Sequence, residues 1–232
     1  STRKESSAAS DVYKRQNLIL LVFLLFSCNS RVENLGLPSI FSDNMVLQQS
    51  TEVVFWGKSS PDEIIEINGS WGKSSSIKAD TSGKWELKLA TPSAGGPYEV
   101  VVNDSKSSIV YKDVLIGEVW LASGQSNMQW KLNQCKDCID NQDEEIENAN
   151  YNEIRFFNNP TDLSGTVVNS QKWKTVNPKA ASEMEDSFST ENYSAVGYFF
   201  AKKLYSELNV PIGIIGSYWG GTRVEALSLI HI

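Results

Sequence analysis

Two short loops in this sequence contain residue types that could perform acyl transfer. Residues 124–128 have the sequence GQSNM and contain Ser126, and residues 216–222 have the sequence GSYWGGT. A serine hydroxyl can attack a carbonyl carbon when a base activates it, and backbone N–H groups can stabilise the oxyanion that forms. The two loops together predict a serine nucleophile at Ser126, with N–H groups of Gly220 and Gly221 as oxyanion donors.

Each loop also has a purely structural explanation. A serine is common in a turn at the end of a strand, and a glycine pair is common where a strand turns tightly into a helix. The sequence GQSNM also lacks the G-x-S-x-G pattern of the nucleophile elbow, which disfavours a standard α/β-hydrolase. The occurrence of both loops, each directly after an apolar stretch, favours catalysis by Ser126.

The apolar stretches before the loops predict two buried strands. Residues 114–123 (VLIGEVWLAS) and 211–216 (PIGIIG) are nearly continuous apolar runs, as in strands that are covered on both faces. Between them Ser194 can cap a helix with a single buried apolar stripe. The residues of this stripe are Val196, Phe199, Phe200, Leu204 and Leu208. Strand, helix and strand predict a parallel α/β layer, in which ligands bind beyond the carboxyl ends of the strands.

Residues 35–110 have a different pattern, with short strands separated by turn residues. Asn68-Gly69 is a strong tight-turn signal, and residues 75–90 (SSIKADTSGKWELKLA) predict a hairpin that turns between Asp80 and Gly83. In the second half of that hairpin Trp85, Leu87 and Leu89 alternate with charged residues, so we expect them to face a core. This pattern predicts a β-sandwich over residues 35–110 and an α/β domain over residues 111–226.

The net charge and the start of the chain limit the class of protein. Lys and Arg total 21 against 28 Asp and Glu, and no basic patch with interleaved aromatic residues occurs, so nucleic acid is excluded as a partner. Residues 18–26 are apolar, follow Lys14 and Arg15, and are too few to span a bilayer, which predicts an export signal over residues 17–28. The ending LFSC resembles a lipobox, with lipidation at Cys28 and an exported lipoprotein as the product. A buried first strand is the alternative.

Both termini have features that do not fit the rest of the chain. Residues 1–16 are polar and precede the export signal, and they are expected to be a non-native leader. Residues 227–232 (LSLIHI) break the preceding pattern and are expected to be a non-native tail, so the chain is expected to be a fragment. The single histidine, His231, lies in this tail.

The two remaining cysteines, Cys135 and Cys138, form the sequence CKDC. This spacing is compatible with a redox motif, half of a zinc site or a local disulfide. A zinc site needs two further ligands, and the chain contains no other Cys apart from Cys28 and only one His. We expect a structural or incidental pair, and we predict no metal site.

The chain resembles the bacterial sialate O-acetylesterase family of the SGNH-hydrolase superfamily. The residues that carry the resemblance extend from residue 37 to residue 226. Its blocks are LPSIFSDNMVLQ, GKW, AGGPYEV, DVLIGEVWLASGQSNM, NYSAVGYFFAKKL and NVPIGIIGSYWGGTRVEA. The resemblance implies a jelly-roll-like β-domain beside a flavodoxin-like esterase domain. It also implies hydrolysis of O-acetyl esters on sugars, such as O-acetylated sialic acid, without a metal or organic cofactor.

By position in these blocks, the resemblance implies particular roles for residues. Ser126 matches the family's nucleophile, and its own N–H and that of Gly221 match oxyanion donors, with Gly220 beside them. Gly124, Gln125 and Asn127 flank the nucleophile and are expected to shape the loop. The family takes its catalytic His and acidic residue from later sequence, so the 232-residue chain alone is expected to be inactive.

Two other functions are compatible with the sequence. A carbohydrate-binding β-sandwich lipoprotein could use aromatic residues on its strand-rich segment, while Ser126 only ends a strand. The aromatic residues in question are Trp56, Trp71, Trp85 and Tyr98. An acetylxylan esterase would keep the serine chemistry and change the sugar.

Overall fold

The computed structural model describes residues 34–134, 139–159, 172–177 and 193–221, which form a mixed α/β fold dominated by one large sheet. The first strands are β1 (Val46–Gln48), β2 (Glu52–Lys58), β3 (Ile64–Gly69), β4 (Lys73–Lys78), β5 (Lys84–Ala90), β6 (Gly95–Asn103) and β7 (Ser108–Gly124). They are followed by helices α1 (Ser126–Gln129) and α2 (Gln142–Glu147), strands β8 (Tyr151–Asn158) and β9 (Lys174–Val176), helix α3 (Ala195–Leu208) and strand β10 (Ile212–Tyr218).

The large sheet contains the parallel layer that the sequence predicts. Its strand order is β4-β3-β6-β7-β10-β8-β9, with β1 added in parallel to β7, while β2 and β5 form a separate antiparallel pair. Strand β10 lies between β7 and β8 and is parallel to both. The two strands that precede the glycine-containing loops are therefore parallel neighbours, and both loops leave the same edge of the sheet.

Strand β7 is the longest strand described and changes partner along its length. It pairs antiparallel with β6 as far as Ile116, and it pairs parallel with β10 from Glu118 to Gly124. Arg155 of β8 has a side chain that is only 5% exposed and makes an ion pair of 3.0 Å with Asp113 of β7. The predicted domain boundary near residue 110 falls at the start of β7, and the division into a β-sandwich and a second domain stays a prediction.

The predicted hairpin over residues 75–90 is wrong. Strand β4 pairs with β3, whereas β5 pairs with β2, so the turn at Asp80–Gly83 carries the chain from one sheet to the other. A hairpin does form next to the Asn68-Gly69 signal, but these two residues are the end of β3 and pair with β4, and the chain turns over residues 70–72. The local turn residues predict where the chain reverses, whereas the strand partner depends on which apolar faces meet.

The apolar core confirms the alternation of Trp85, Leu87 and Leu89, which are 4%, 5% and 1% exposed. These side chains of β5 belong to the same cluster as buried residues of the large sheet, including Ile65 of β3 and Val100 of β6. Burial of alternate side chains on both sheets therefore joins the two-stranded sheet to the large one.

The expectation of a strand buried along residues 114–123 is correct only in part. Residues 114–117 are buried, but Trp120 and Leu121 are each 44% exposed. Among the described residues, β10 is the only strand that pairs with residues 118–124 of β7. The end of β7 is therefore covered less completely than its middle.

The buried stripe predicted for α3 is also wrong, although the ends of the helix are as predicted. Ser194 caps the helix by accepting a hydrogen bond of 3.1 Å from the Gly197 amide, and Asn209 ends it in the left-handed conformation. Four residues of the expected stripe are exposed: Val196, Phe199, Phe200 and Leu208. Helix α3 instead packs through Gly197, Tyr198 and Ala201. The small side chains of Gly197 and Ala201 let the helix approach the sheet closely.

None of the helices in the described ranges is long and apolar enough to cross a membrane. The predictions for Cys28, Cys135, Cys138 and His231, and for the two termini, fall outside the described residues.

Candidate active site

The ends of β7 and β10 bring the two glycine-containing loops together. Ser123 and Gly124 of β7 are in register with Ser217 and Tyr218 of β10. Beyond the paired residues, the Trp219 amide donates a hydrogen bond of 3.1 Å to the Gly124 carbonyl. The sheet therefore sets the separation of the two loops, and both loops lie at the edge where ligands bind in open parallel sheets.

Ser126 is the first residue of α1 and is exposed. Within the described part of the chain, neither its hydroxyl nor its amide has a hydrogen-bond partner. A side chain at Gly124 would place its Cβ 3.0 Å from the Cβ of Met128, so glycine lets α1 begin directly after the strand. An exposed hydroxyl beside a free N–H is the arrangement that an acyl-transfer nucleophile needs.

Gly220 lies against the loop that contains Ser126. A Cβ at this position would be 3.4 Å from the Ser126 Cβ and 2.9 Å from the Gln129 Oε1. The Gly220 amide donates a hydrogen bond of 2.6 Å to the same Gln129 oxygen. The N–H that the sequence assigns to an oxyanion is thus already bonded to Gln129 in this structure.

Gly221 differs from its neighbour. It is exposed and has φ of +81°, which favours glycine, and open space surrounds the position of a Cβ. In the described ranges its amide has no acceptor. Gly221 therefore keeps an N–H that is available to a ligand.

The start of helix α3 fixes the end of α1. The Ala195 amide donates a hydrogen bond of 2.8 Å to the Trp130 carbonyl, and the Ser194 hydroxyl lies 3.4 Å from the Met128 Sδ. Ser194 is fully buried and also caps α3. The cap residue of one helix thus holds the short helix that carries Ser126.

Tyr218 is the last residue of β10 and pairs with Gly124, next to the Ser126 loop, but it is not a base. The Tyr218 hydroxyl donates a hydrogen bond of 2.8 Å to the Asn158 Oδ1. Burial raises the pKa of Tyr218 to about 12, although a hydrogen bond with the Ser194 backbone opposes the shift. The phenol is therefore protonated at neutral pH and cannot take a proton from Ser126.

The predicted site residues are brought together as a group. Ser126, its flanking residues and the two glycines all lie at one edge of the sheet. The flanking residues are Gly124, Gln125 and Asn127, of which the last two are exposed. The sequence did not single out Gln129 or Trp130. Neither residue belongs to a recognised motif. The only signal was their position in the helical turn that follows Ser126.

In the described ranges, no group of three or more His, Cys, Asp or Glu could hold a metal ion. None of the described residues is a histidine, since the chain has only His231. The described part of the candidate site therefore consists of the loop that contains Ser126 and the loop that contains Gly220 and Gly221.

Comparison with known proteins gives a consistent result. No protein-family model matches the chain. Sialate O-acetylesterases of Pongo abelii and Homo sapiens are 33% and 32% identical to it over alignments of 226 residues that cover 90% of the chain. Over these residues, the chain is similar to sialate O-acetylesterases. The crystal structure of a carbohydrate acetylesterase from Xanthomonas citri is 37% identical and has a TM-score of 0.72 over 83% of the chain.

These relatives are much longer than the matched part. The chain spans 42% of the length of the two sialate O-acetylesterases and 42% of the Xanthomonas citri acetylesterase.

Proposed function

We propose that this chain is the nucleophile-bearing part of a carbohydrate O-acetylesterase that hydrolyses acetyl esters on sugars through Ser126. The observation that carries the proposal is that Gly220 lies directly beside Ser126, at the carboxyl ends of two parallel strands. A Cβ placed on Gly220 would be 3.4 Å from the Ser126 Cβ. The names of the relatives, sialate O-acetylesterase and carbohydrate acetylesterase, supply the substrate class. O-acetylated sialic acid is the substrate that we favour.

The reaction follows from the groups at this edge. The Ser126 hydroxyl attacks the acetyl carbonyl carbon, and the oxyanion accepts hydrogen bonds from the N–H groups of Ser126 and Gly221. The sugar leaves as an alcohol, and water then releases acetate from the serine. Gly221 is favoured over Gly220 as the second donor, because Gln129 already accepts the Gly220 N–H. Gly124, Gln125 and Asn127 shape the loop.

The base and its acidic partner are proposed to come from sequence other than the described residues, as the family resemblance implies. Removal of triad members in other hydrolases leaves only about 1,000- to 10,000-fold catalysis over water. The 232-residue chain alone should therefore show no Ser126-dependent turnover of p-nitrophenyl acetate. In the same proposal the chain comprises a jelly-roll-like β-sandwich and part of an SGNH-hydrolase domain, and it is exported with a lipid on Cys28.

The test measures acetate released by the protein that a complete reading frame around this chain encodes. Ser126→Ala should lower the rate by at least about 1,000-fold. Ser123→Ala, which changes a serine of β7 just before the loop, is the matched control and should retain the rate. Equal rates for the Ser126→Ala variant and the unchanged protein would rule out this function.

The sugar is identified by the same assay with two substrates. Faster release from O-acetylated sialic acid supports a sialate esterase, and faster release from acetylated xylan supports an acetylxylan esterase.

The alternative of a carbohydrate-binding β-domain is weakened by packing: Trp85 is buried, and Trp71 donates a hydrogen bond of 2.9 Å to the Ala90 carbonyl. Trp56, which is 42% exposed, packs edge-on against Phe41 at 4.7 Å.

A further inference from the structure

An exposed tryptophan lies one helical turn after the candidate nucleophile. The Trp130 amide donates a hydrogen bond of 2.9 Å to the Ser126 carbonyl, and the φ of Trp130 is −55°. Trp130 is therefore at a helical i+4 position relative to Ser126, although the chain leaves the helix directly afterwards. Side chains four residues apart on a helix project from the same face, with Cβ atoms about 5–6 Å apart.

The direction of helical side chains brings the indole close to the nucleophile. The Cα–Cβ bond of a helical residue tilts toward the helix N-terminus, so a long side chain covers the turn that precedes it. For Trp130 the preceding turn begins at Ser126. Both residues are exposed, and their one-turn spacing places them on the same side of α1.

None of the aromatic pairs among the described residues includes this tryptophan. Trp130 is 46% exposed, and its ring has no aromatic neighbour or hydrogen-bond acceptor within the described ranges. Trp120, with similar exposure of 44%, instead packs edge-on against Phe200 at 5.3 Å. A flat apolar ring that lies open beside a nucleophile is suited to a ligand that has an apolar face and polar edges.

We propose that Trp130 is the sugar-contacting residue of the site and stacks on the C–H face of the pyranose ring that carries the acetyl ester. A separation of about 5–6 Å between the Cβ atoms of Ser126 and Trp130 lets the sugar ring lie on the indole while the acetyl group of the sugar reaches the Ser126 hydroxyl. This inference rests on the proposed function and adds the group that recognises the sugar. The substrate class is a pyranose, because a ring with one C–H face fits a flat indole.

The experiment measures binding, so that it does not depend on turnover. The full 232-residue chain with Ser126→Ala is labelled with ¹⁵N, and the indole N–H signals of its seven tryptophans are followed by NMR. The probes are the methyl glycoside of 9-O-acetylated N-acetylneuraminic acid and acetylated xylobiose. The Trp130 signal, identified by its loss in Trp130→Phe, should shift with at least one probe. Methyl acetate, which has no ring, should leave it unchanged.

Variants separate stacking from folding. Trp130→Ala should raise the Kd for the sugar on the order of tenfold, and Trp130→Phe, which keeps a ring, should raise it less. Trp56→Ala is the matched control, because Trp56 is 42% exposed on β2 and outside the site. The Kd of this control should equal that of the parent.

Two results would overturn the inference. One is the absence of any shift at the Trp130 indole up to the solubility limit of both probes, and the other is an unchanged Kd in Trp130→Ala. Either result leaves the proposed function intact, provided that Ser126→Ala still abolishes acetate release by the longer protein. If acetate release persists in that variant, the proposed function fails whatever the binding result.

Discussion

Gly220 and Gly221 are neighbours, but glycine is needed at each for a different physical reason. At Gly220 the need is space, since a Cβ would meet the Gln129 Oε1 at 2.9 Å and the Ser126 Cβ at 3.4 Å. At Gly221 the need is conformation, since φ is +81° and the space around it is open. The two positions therefore provide a matched pair of variants.

Gly220→Ala should push the oxyanion loop away from α1 and weaken the hydrogen bond to Gln129. The amide NMR signals of Ser126–Gln129 should shift, and the Gly220-position amide should exchange with deuterium at least about tenfold faster, because its bond is lost or lengthened. Gly221→Ala should leave those signals in place and destabilise the chain by about 1–2 kcal/mol. Identical spectra for both variants would contradict this distinction.

At the residue scale, the sequence predicts the candidate chemical groups but not the contacts between them. Ser126 and the two glycines were predicted because strand ends and glycine loops are local features. The Gln129–Gly220 hydrogen bond joins residues that are 91 positions apart, so no local pattern predicts it. It changes which glycine N–H is available, and only the positions of the folded strands reveal this.

At the scale of elements, a single carboxylate connects helices α2 and α3. Glu145 of α2 accepts hydrogen bonds from Tyr198 and Lys202 of α3, with 2.8 Å between its Oε2 and the Lys202 Nζ. Partial burial raises the pKa of Glu145, but the hydrogen bonds from Lys202 and Tyr198 outweigh this effect and hold the pKa below its usual value. The carboxylate is therefore charged at neutral pH.

Glu145→Gln should lower the free energy of unfolding by about 1 kcal/mol at pH 7, because the neutral amide loses the ion pair with Lys202. Because the folded pKa of Glu145 is lowered from its usual value of 4.5, the difference should be present above pH 4.5 and fade as the pH falls through the folded pKa. Urea denaturation at several pH values measures it. Glu144→Gln, which changes the exposed preceding residue, is the control. An equal loss of unfolding free energy in this variant would show that the total charge of the helix, and not the ion pair with Lys202, is the cause.

The turn between β4 and β5 depends on Asp80 in a way that pH can test. The Asp80 Oδ1 accepts hydrogen bonds from the Ser82 hydroxyl and from the Ser82 and Lys84 amides. The hydrogen bonds from the Ser82 side chain and the Lys84 backbone hold the pKa of Asp80 below its ordinary value of 3.8. Asp80→Ala should therefore be less stable than the parent at neutral pH.

This difference in stability should disappear in acid. A lowered folded pKa means that the charged form stabilises the turn above pH 3.8 and that this contribution is lost as Asp80 takes up a proton below it. An NMR titration of Asp80 should give the lowered pKa directly. A titration midpoint at or above 3.8, or a stability difference that persists at pH 2, would contradict the assignment.

Among the elements, those specified by local residues were predicted and those specified by a partner were not. Ser194 and Asn209 end α3 as expected, because caps depend on the residue and its own backbone. The face of α3 that is buried could not be read from its apolar residues, since the small residues Gly197 and Ala201 allow the closest approach. The predicted pairing of β4 with β5 was wrong for a similar reason, because the partner of a strand depends on which apolar faces of the two sheets meet.

At the scale of the whole molecule, the described residues expose an apolar surface beside the end of β7. This outer apolar patch consists of Trp120 of β7 and of Val196, Phe199 and Phe200 of α3, which are 44%, 50%, 37% and 41% exposed. Trp120 and Phe200 lie edge-on at 5.3 Å, so the strand and α3 form a continuous part of it. Soluble proteins rarely expose large side chains in such groups.

The patch predicts dye binding by the folded chain. A hydrophobic dye such as ANS should fluoresce with the 232-residue chain under conditions where the near-UV circular dichroism is native. Phe200→Lys should lower this fluorescence about twofold, because it places a charge at the contact with Trp120, and it should change the stability by less than about 0.5 kcal/mol. Leu208→Lys, which changes a 49% exposed residue at the far end of α3, should leave the fluorescence unchanged. If the native chain binds no dye, or if both variants lose it equally, the exposed residues do not form one patch in solution.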